Sequence, residues 1–212
     1  MNTQQISKVG LLGGSFDPPH LAHWHLAQAA RTALGLDRII FIPTNIPPHK
    51  QGILYADAHD RLAMLRAMLY RQEGFEISDM ELTREGPSYT LDTVNTFHSL
   101  YPDENFYFII GGDSLMYMEN WYRADELMQR IEFIVAYRPG DHMDEFLVHK
   151  KYLETNFGAR ITLIEAPVLD ISSTAVRTLC AQGADISHLV MPSVQEYIQA
   201  HGLYQENADE RA

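Results

Sequence analysis

Short apolar runs alternate with amphipathic stretches along this chain. Lys8–Leu12 (KVGLL) is apolar and stops at Gly13-Gly14, as a buried strand stops at a turn. The spacing predicts a helix over His20–Leu34, closed by Gly35 at the C-terminal cap position. Arg38–Pro43 (RIIFIP) reads as a second buried strand, and Asp57–Gln72 as a helix with Leu62, Leu65 and Leu69 on one face. Phe75–Ser78 is a weaker strand, Thr90–Leu100 a helix, and Phe106–Ile110 (FYFII) the strongest strand signal, followed by Gly111-Gly112. Phe133–Tyr137, Asp141–Phe157, Ile161–Glu165, Ser173–Gln182 and Ser193–Ala200 continue the alternation. Strands that are apolar on both faces, interleaved with helices, imply a parallel sheet covered on both sides. Residues 43–56 stand out as the only extended irregular stretch, and loops of that length are more often functional than idle. Pro43, Pro47 and Pro48 surround His49-Lys50 within it, which suggests a lid built of stiff pieces.

Composition narrows the possible partners. The chain has 212 residues, 46% of them hydrophobic and 21% charged, which suits one soluble domain with a sizeable core. We expect that domain to span residues 1–204, with a polar tail at 205–212. A formal charge of −12 argues against gripping a nucleic-acid backbone or an anionic membrane, since both need a basic surface. It leaves room for a small anionic ligand, provided that a few local donors work against the overall field. Cys180 is the single cysteine, so an internal disulfide is excluded and a reducing compartment expected. No apolar run reaches the roughly 18 residues of a membrane-spanning helix, and MNTQQISKVG lacks the apolar core of a signal peptide. The expected location is the cytoplasm; sequence leaves room for a homo-oligomer.

In sheets of this kind, ligands bind beyond the carboxyl ends of the strands, where the strand order reverses. The residues after each strand are therefore the candidates. The first run leads into Gly13-Gly14-Ser15-Phe16-Asp17-Pro18-Pro19-His20-Leu21-Ala22-His23. Glycines let backbone approach a ligand, and a helix start offers free N–H groups and a positive dipole end. His20 and His23, three apart, point the same way on a helix. Plainer readings compete: a Gly-Gly turn, a packed histidine pair, or, with His25, a metal cluster that has only Asp17 as a nearby carboxylate. A second candidate, Ile171-Ser172-Ser173-Thr174-Ala175-Val176-Arg177, opens a late helix. Its hydroxyls suit helix caps, and equally suit an anion at the helix start. Arg177 falls on the same side as Ser173 and Thr174.

Together, Gly-x-Phe-x-Pro-x-His-x-x-His and Ile-Ser-Ser-Thr-x-x-Arg resemble the nucleotidyltransferase superfamily of adenylyl- and cytidylyltransferases. Within it the chain is similar to the bacterial nicotinate-mononucleotide adenylyltransferases. That closer likeness rests on Pro47-Pro48-His49-Lys50, Pro87-Ser88-Tyr89-Thr90-Leu91-Asp92-Thr93, Gly111-Gly112-Asp113-Ser114-Leu115 and Trp121, and it spans roughly residues 8–204. One position departs: Ala22 stands where the family commonly has glycine between the histidines.

The resemblance implies an α/β fold, a Rossmann-like doubly wound parallel sheet with helices on both faces in one domain. It also implies transfer of the adenylyl group of ATP to nicotinate mononucleotide, giving nicotinate adenine dinucleotide and pyrophosphate. The nucleophile is then an ionised phosphate oxygen. No general base or covalent intermediate is required, only in-line positioning and charge stabilisation. By resemblance, Gly13, Gly14, Ser15 and Phe16 line the phosphates and the junction of the two substrates. His20 and His23 polarise the triphosphate, with His23 nearer the reacting phosphate. Ser173, Thr174 and Arg177 hold the β and γ phosphates, in the motif that begins with Ile171 and Ser172. Gly111 lies near the adenosine and Asp113 near the ribose, although Asp113 would also suit a helix cap. Trp121 stacks on the pyridine ring, or else belongs to the core. Thr90 receives the pyridine carboxylate, and Lys50, His49 and Arg138 meet the mononucleotide phosphate. Mg2+ is expected to arrive with ATP, carried by its phosphates rather than by a protein metal site. His20, His23, Lys50 and Arg177 would be the local cations. Two alternatives stay open: a sister enzyme acting on nicotinamide mononucleotide, and a non-catalytic nucleotide-binding module.

Overall fold

The apolar run that ends at Gly13-Gly14 forms β1 (Lys8–Gly14), the centre of a six-stranded parallel sheet. The computed structural model describes residues 6–47, 55–137, 143–167 and 169–205. The other strands are β2 (Arg38–Pro43), β3 (Phe75–Ile77), β4 (Asn105–Gly111), β5 (Glu132–Tyr137) and β6 (Arg160–Glu165), in the spatial order β3-β2-β1-β4-β5-β6. The chain therefore builds outward from β1 in one direction, then returns to lay β4 on its other side. This reversal opens a crevice beyond the carboxyl ends of β1 and β4, where Gly13-Gly14 and Gly111-Gly112 lie.

Both faces of the sheet are covered, as the apolar runs predict. Residues alternate strictly between the two layers: Ile39 and Phe41 pack on one side, Ile40 and Ile42 on the other. The first layer takes its helical side chains from α1 (Leu21–Leu34), α2 (Ala58–Leu69), α7 (Ser173–Ala181) and α8 (Pro192–His201). The second takes them from α3 (Thr90–Leu100), α5 (Ala124–Arg130) and α6 (Met143–Phe157). Gly10 sits where the layers leave no room, since a Cβ there would lie 2.5 Å from Ile39 Cδ1 and 2.8 Å from Ile109 Cδ1. Among the described residues no helix is long and apolar enough to cross a membrane.

Two expectations need correction. Residues 78–89 form only turns and bends, so 43–56 is not the only extended irregular stretch. The segment between β4 and β5 is also more structured than its pattern suggests. It holds α4 (Gly112–Leu115), a 3-10 turn at Met118–Asn120 and α5. Elements this short carry too few turns to show a helical period, and packing against the sheet stabilises them instead.

Candidate functional site

Beyond β1 the backbone turns sharply. Phe16 adopts a left-handed conformation (φ 48°), and its ring is fully buried against His23 and Phe41, at centroid distances of 4.9 and 5.6 Å. Such a backbone costs energy and persists only where its surroundings hold it. Arg61 of α2 does the holding. Its Nη1 donates to the carbonyls of Ser15 and Thr44, each at 2.8 Å, from a buried position. Burial pulls the Arg61 pKa down, while Asp17, Tyr204 and Asp57 draw it back up.

Asp17, also buried, ties four distant parts of the chain together. Its carboxylate accepts from the Tyr55 and Ala56 N–H groups at 2.8 and 3.1 Å and from the Tyr204 hydroxyl at 2.7 Å. Its main-chain carbonyl accepts from Arg177 Nη1 at 2.7 Å. Arg177 also donates to Thr174 Oγ1 at 3.1 Å and lies 4.1 Å over the Tyr55 ring. Ser173 Oγ donates to the Pro18 carbonyl at 3.0 Å, and Ser172 caps α7 by accepting from Ala175 N–H. The second motif is thus bonded directly to the first.

His20 and His23 stack with centroids 3.7 Å apart, as their spacing predicts. His23 Nδ1 accepts from the His20 N–H at 3.2 Å, so the neutral ring carries its proton on Nε2. His20 is buried, and desolvation pushes its pKa down to about 4. Burial therefore keeps His20 neutral near pH 7, where the sequence suggests a cation. The start of α1 is also less open than expected. Leu21 N–H donates to the Leu189 carbonyl at 2.8 Å and His23 N–H to the His20 carbonyl at 3.0 Å.

Two cavities meet at His23, Leu26 and Gly111. The larger, about 360 Å³, is lined by Gly13, Gly14, Ser15, Thr90 and Trp121 among others. Trp121 is half-buried and presents an edge to Phe108 at 6.4 Å. The smaller, about 180 Å³, is lined by His20, Ala22, Asp113 and Ile171. The Ala22 methyl group thus faces the narrower space. Thr174 and Arg177 are not brought into either cavity; with Tyr55 and Tyr204 they line a third, of about 300 Å³, across the Asp17–Pro18 segment. Lys50, His49 and Arg138 lie outside the described residues. Asp57, His59 and Asp60 are the one group with metal-ligand spacing among the described residues, and they line neither central cavity.

Residues 11–179 match the cytidylyltransferase-like family, and that span contains every residue from Gly13 to Arg177 assigned above. The chain belongs to the cytidylyltransferase-like family. Within this family it groups with proteins described as probable nicotinate-nucleotide adenylyltransferases. One from Clostridium tetani is 38% identical over 94% of this chain and 100% of its own length. Another, from Carboxydothermus hydrogenoformans, is 40% identical over 93% and 98%. The fold matches a Plasmodium falciparum nicotinic acid mononucleotide adenylyltransferase solved with NaAD, at a TM-score of 0.77 and 22% identity, covering 93% of this chain and 97% of that one.

Sequence reasoning missed four residues that shape this candidate site. Asp17 was weighed only as a metal ligand, and Tyr204 gave no signal, because its partner is 187 positions away. Arg61 did leave one: a charged residue in register with Leu65 and Met68 on the buried face of α2. Glu81, a buried carboxylate lining the larger cavity, comes from the irregular 78–89 segment, where no periodicity exists to mark it.

Proposed function

We propose that the chain transfers the adenylyl group of ATP to nicotinate mononucleotide, forming nicotinate adenine dinucleotide and pyrophosphate. The observation that carries this reading is the pair of unlike cavities joined at His23 and Gly111, at the switch point of the sheet. A reaction that joins two nucleotides needs two adjoining sites with the reacting phosphates at their junction. The larger cavity, with the Trp121 ring and the start of α3 at Thr90, takes the mononucleotide. The smaller, with Gly111, Asp113 and Ile171, takes the adenosine.

A phosphate oxygen of the mononucleotide attacks the α-phosphorus of ATP. The bond from that phosphorus to the α,β-bridging oxygen breaks, and pyrophosphate leaves with the electron pair. The attacking oxygen carries no proton at neutral pH, so none has to be removed. His23 donates through Nε2–H, the tautomer set by the His20 N–H, to charge developing on the phosphates. For the leaving pyrophosphate to meet Arg177 and Thr174, as the resemblance implies, it must reach past the Asp17–Pro18 segment toward the third cavity, which they line. Magnesium enters as part of the nucleotide substrate, because this hard cation keeps most of its waters and binds through carboxylates and substrate phosphates, and the imidazoles at the junction suit it poorly.

Pyrophosphate release should be measured with Mg·ATP and, separately, nicotinate or nicotinamide mononucleotide. We expect turnover with the nicotinate compound and its loss on chelation of magnesium. His23→Ala should lower kcat by about 10²–10³. No turnover with either mononucleotide overturns the reading, and a variant within a few-fold of wild type removes His23 from the role given to it.

A further inference from the structure

The wall of the larger cavity that carries Thr90 is built from residues 78–89, which have neither helix nor strand to hold them. Backbone without a regular ladder keeps a fixed shape only if other groups anchor it. The anchors here converge on one buried carboxylate. Thr93 Oγ1, from the first turns of α3, donates to Glu81 Oε1 at 2.6 Å, and Arg84 Nη1 donates to the same hydroxyl oxygen at 3.2 Å. The hydroxyls of Ser88 and Thr44 lie near enough to Glu81 to favour its charged form. Ser88 Oγ accepts from Asn45 N–H at 3.2 Å. Asn45 Nδ2 donates to the Arg84 carbonyl at 3.2 Å, and Ser88 N–H to the Ile46 carbonyl at 3.0 Å. The three bonds of Asn45 and Ile46 join the end of β2 to the turn before α3.

We infer that Glu81 is a positioning residue for the mononucleotide: its buried carboxylate ties α3 to the irregular segment through Thr93, beside Ser88 and Thr44 on the same cavity wall, and so sets the Ser88–Thr90 turn against Trp121. Glu81, Ser88, Thr44 and Thr90 all line the larger cavity, and none lines the smaller. Burial raises the Glu81 carboxyl above its ordinary range, and the hydroxyls and Arg84 reduce that rise without reversing it. Tyr89 carries the order outward, stacking on Tyr122 at 4.1 Å beside Trp121. The inference rests on the assignment of the larger cavity to the mononucleotide.

The test compares wild type with Glu81→Gln, Thr93→Val and the double variant, reading both KM values, kcat and the thermal midpoint. We expect Glu81→Gln to raise the KM for nicotinate mononucleotide about tenfold, in keeping with hydrogen bonds to a charged group, with the KM for ATP within about twofold. Thr93→Val should reproduce that split, and the double variant should be no worse than the stronger single one, because both cut the same network. If Glu81→Gln does not fold, Thr93→Val carries the same comparison. KM values that rise together, or a mononucleotide KM that stays put, overturn the inference. Wild-type protein that releases no pyrophosphate with nicotinate mononucleotide overturns the functional reading and this inference with it, whereas an active wild type with unchanged variants overturns the role of Glu81 alone.

Discussion

His20 is kept neutral by burial, with its pKa lowered from 6.5 to about 4. Between those values the unfolded chain binds more protons than the native one, so stability is full above 6.5 and is lost as the pH falls toward 4. The full loss is about 3 kcal/mol, and about 2 kcal/mol of it accrues by about pH 5. Urea unfolding at about pH 7.5 and 5 should therefore show a larger drop for wild type than for His20→Asn. Equal drops would place His20 in a solvated environment. The same burial explains why the histidine pair was legible while its charge was not. Spacing sets which way the two rings point, but the pKa depends on what the tertiary fold packs over one of them.

The element that carries the histidines, α1, ends where its sequence says it should. Gly35 takes the left-handed conformation (φ 59°), and its N–H donates to the Arg31 carbonyl. A Cβ at this position meets nothing within 4 Å, so Gly35→Ala tests backbone preference alone. It should cost about 1–2 kcal/mol in urea unfolding and leave turnover unchanged. A cost near zero would mean that the helix end relaxes to another conformation. Helices as long as α1 and α3 carry several turns of pattern and a recognisable terminus, which is why Thr90–Leu100 agrees with its expected bounds. α4 and α5, at 4 and 7 residues, do not. Their place between β4 and β5, on either side of Trp121 in the chain, depends on contacts with the second core layer.

Across the whole molecule, the segment after β1 is tied down by a residue far from it in sequence. The Tyr204 hydroxyl donates to Asp17, and burial with that partner holds its proton on well above the ordinary tyrosine range. Tyr204→Phe keeps the ring and removes this one donor to a buried carboxylate, so it should lower unfolding free energy by about 2 kcal/mol. A loss below about 0.5 kcal/mol would show Asp17 to be satisfied by the Tyr55 and Ala56 N–H groups. The net charge of −12 is likewise a property of the whole chain that did not decide the local chemistry. It limits long-range attraction for polyanions, while local bonds hold the rings and guanidinium of the two motifs: His23 Nδ1 accepts from the His20 N–H, and Arg177 donates to the Asp17 carbonyl.

The sequence by itself determined the parallel sheet, its two-sided core and the two motifs, because strand and helix periods and short spacings are local properties. Tertiary structure decided what those motifs meet. It bonded Arg177 to Asp17 across 160 positions, put Arg61 under the Ser15 turn, and gave the irregular wall of the larger cavity its shape through Glu81. Such contacts form between buried polar groups that have no other partners once water is excluded. Which groups those are depends on how the layers pack, a relation that no run of neighbouring residues contains.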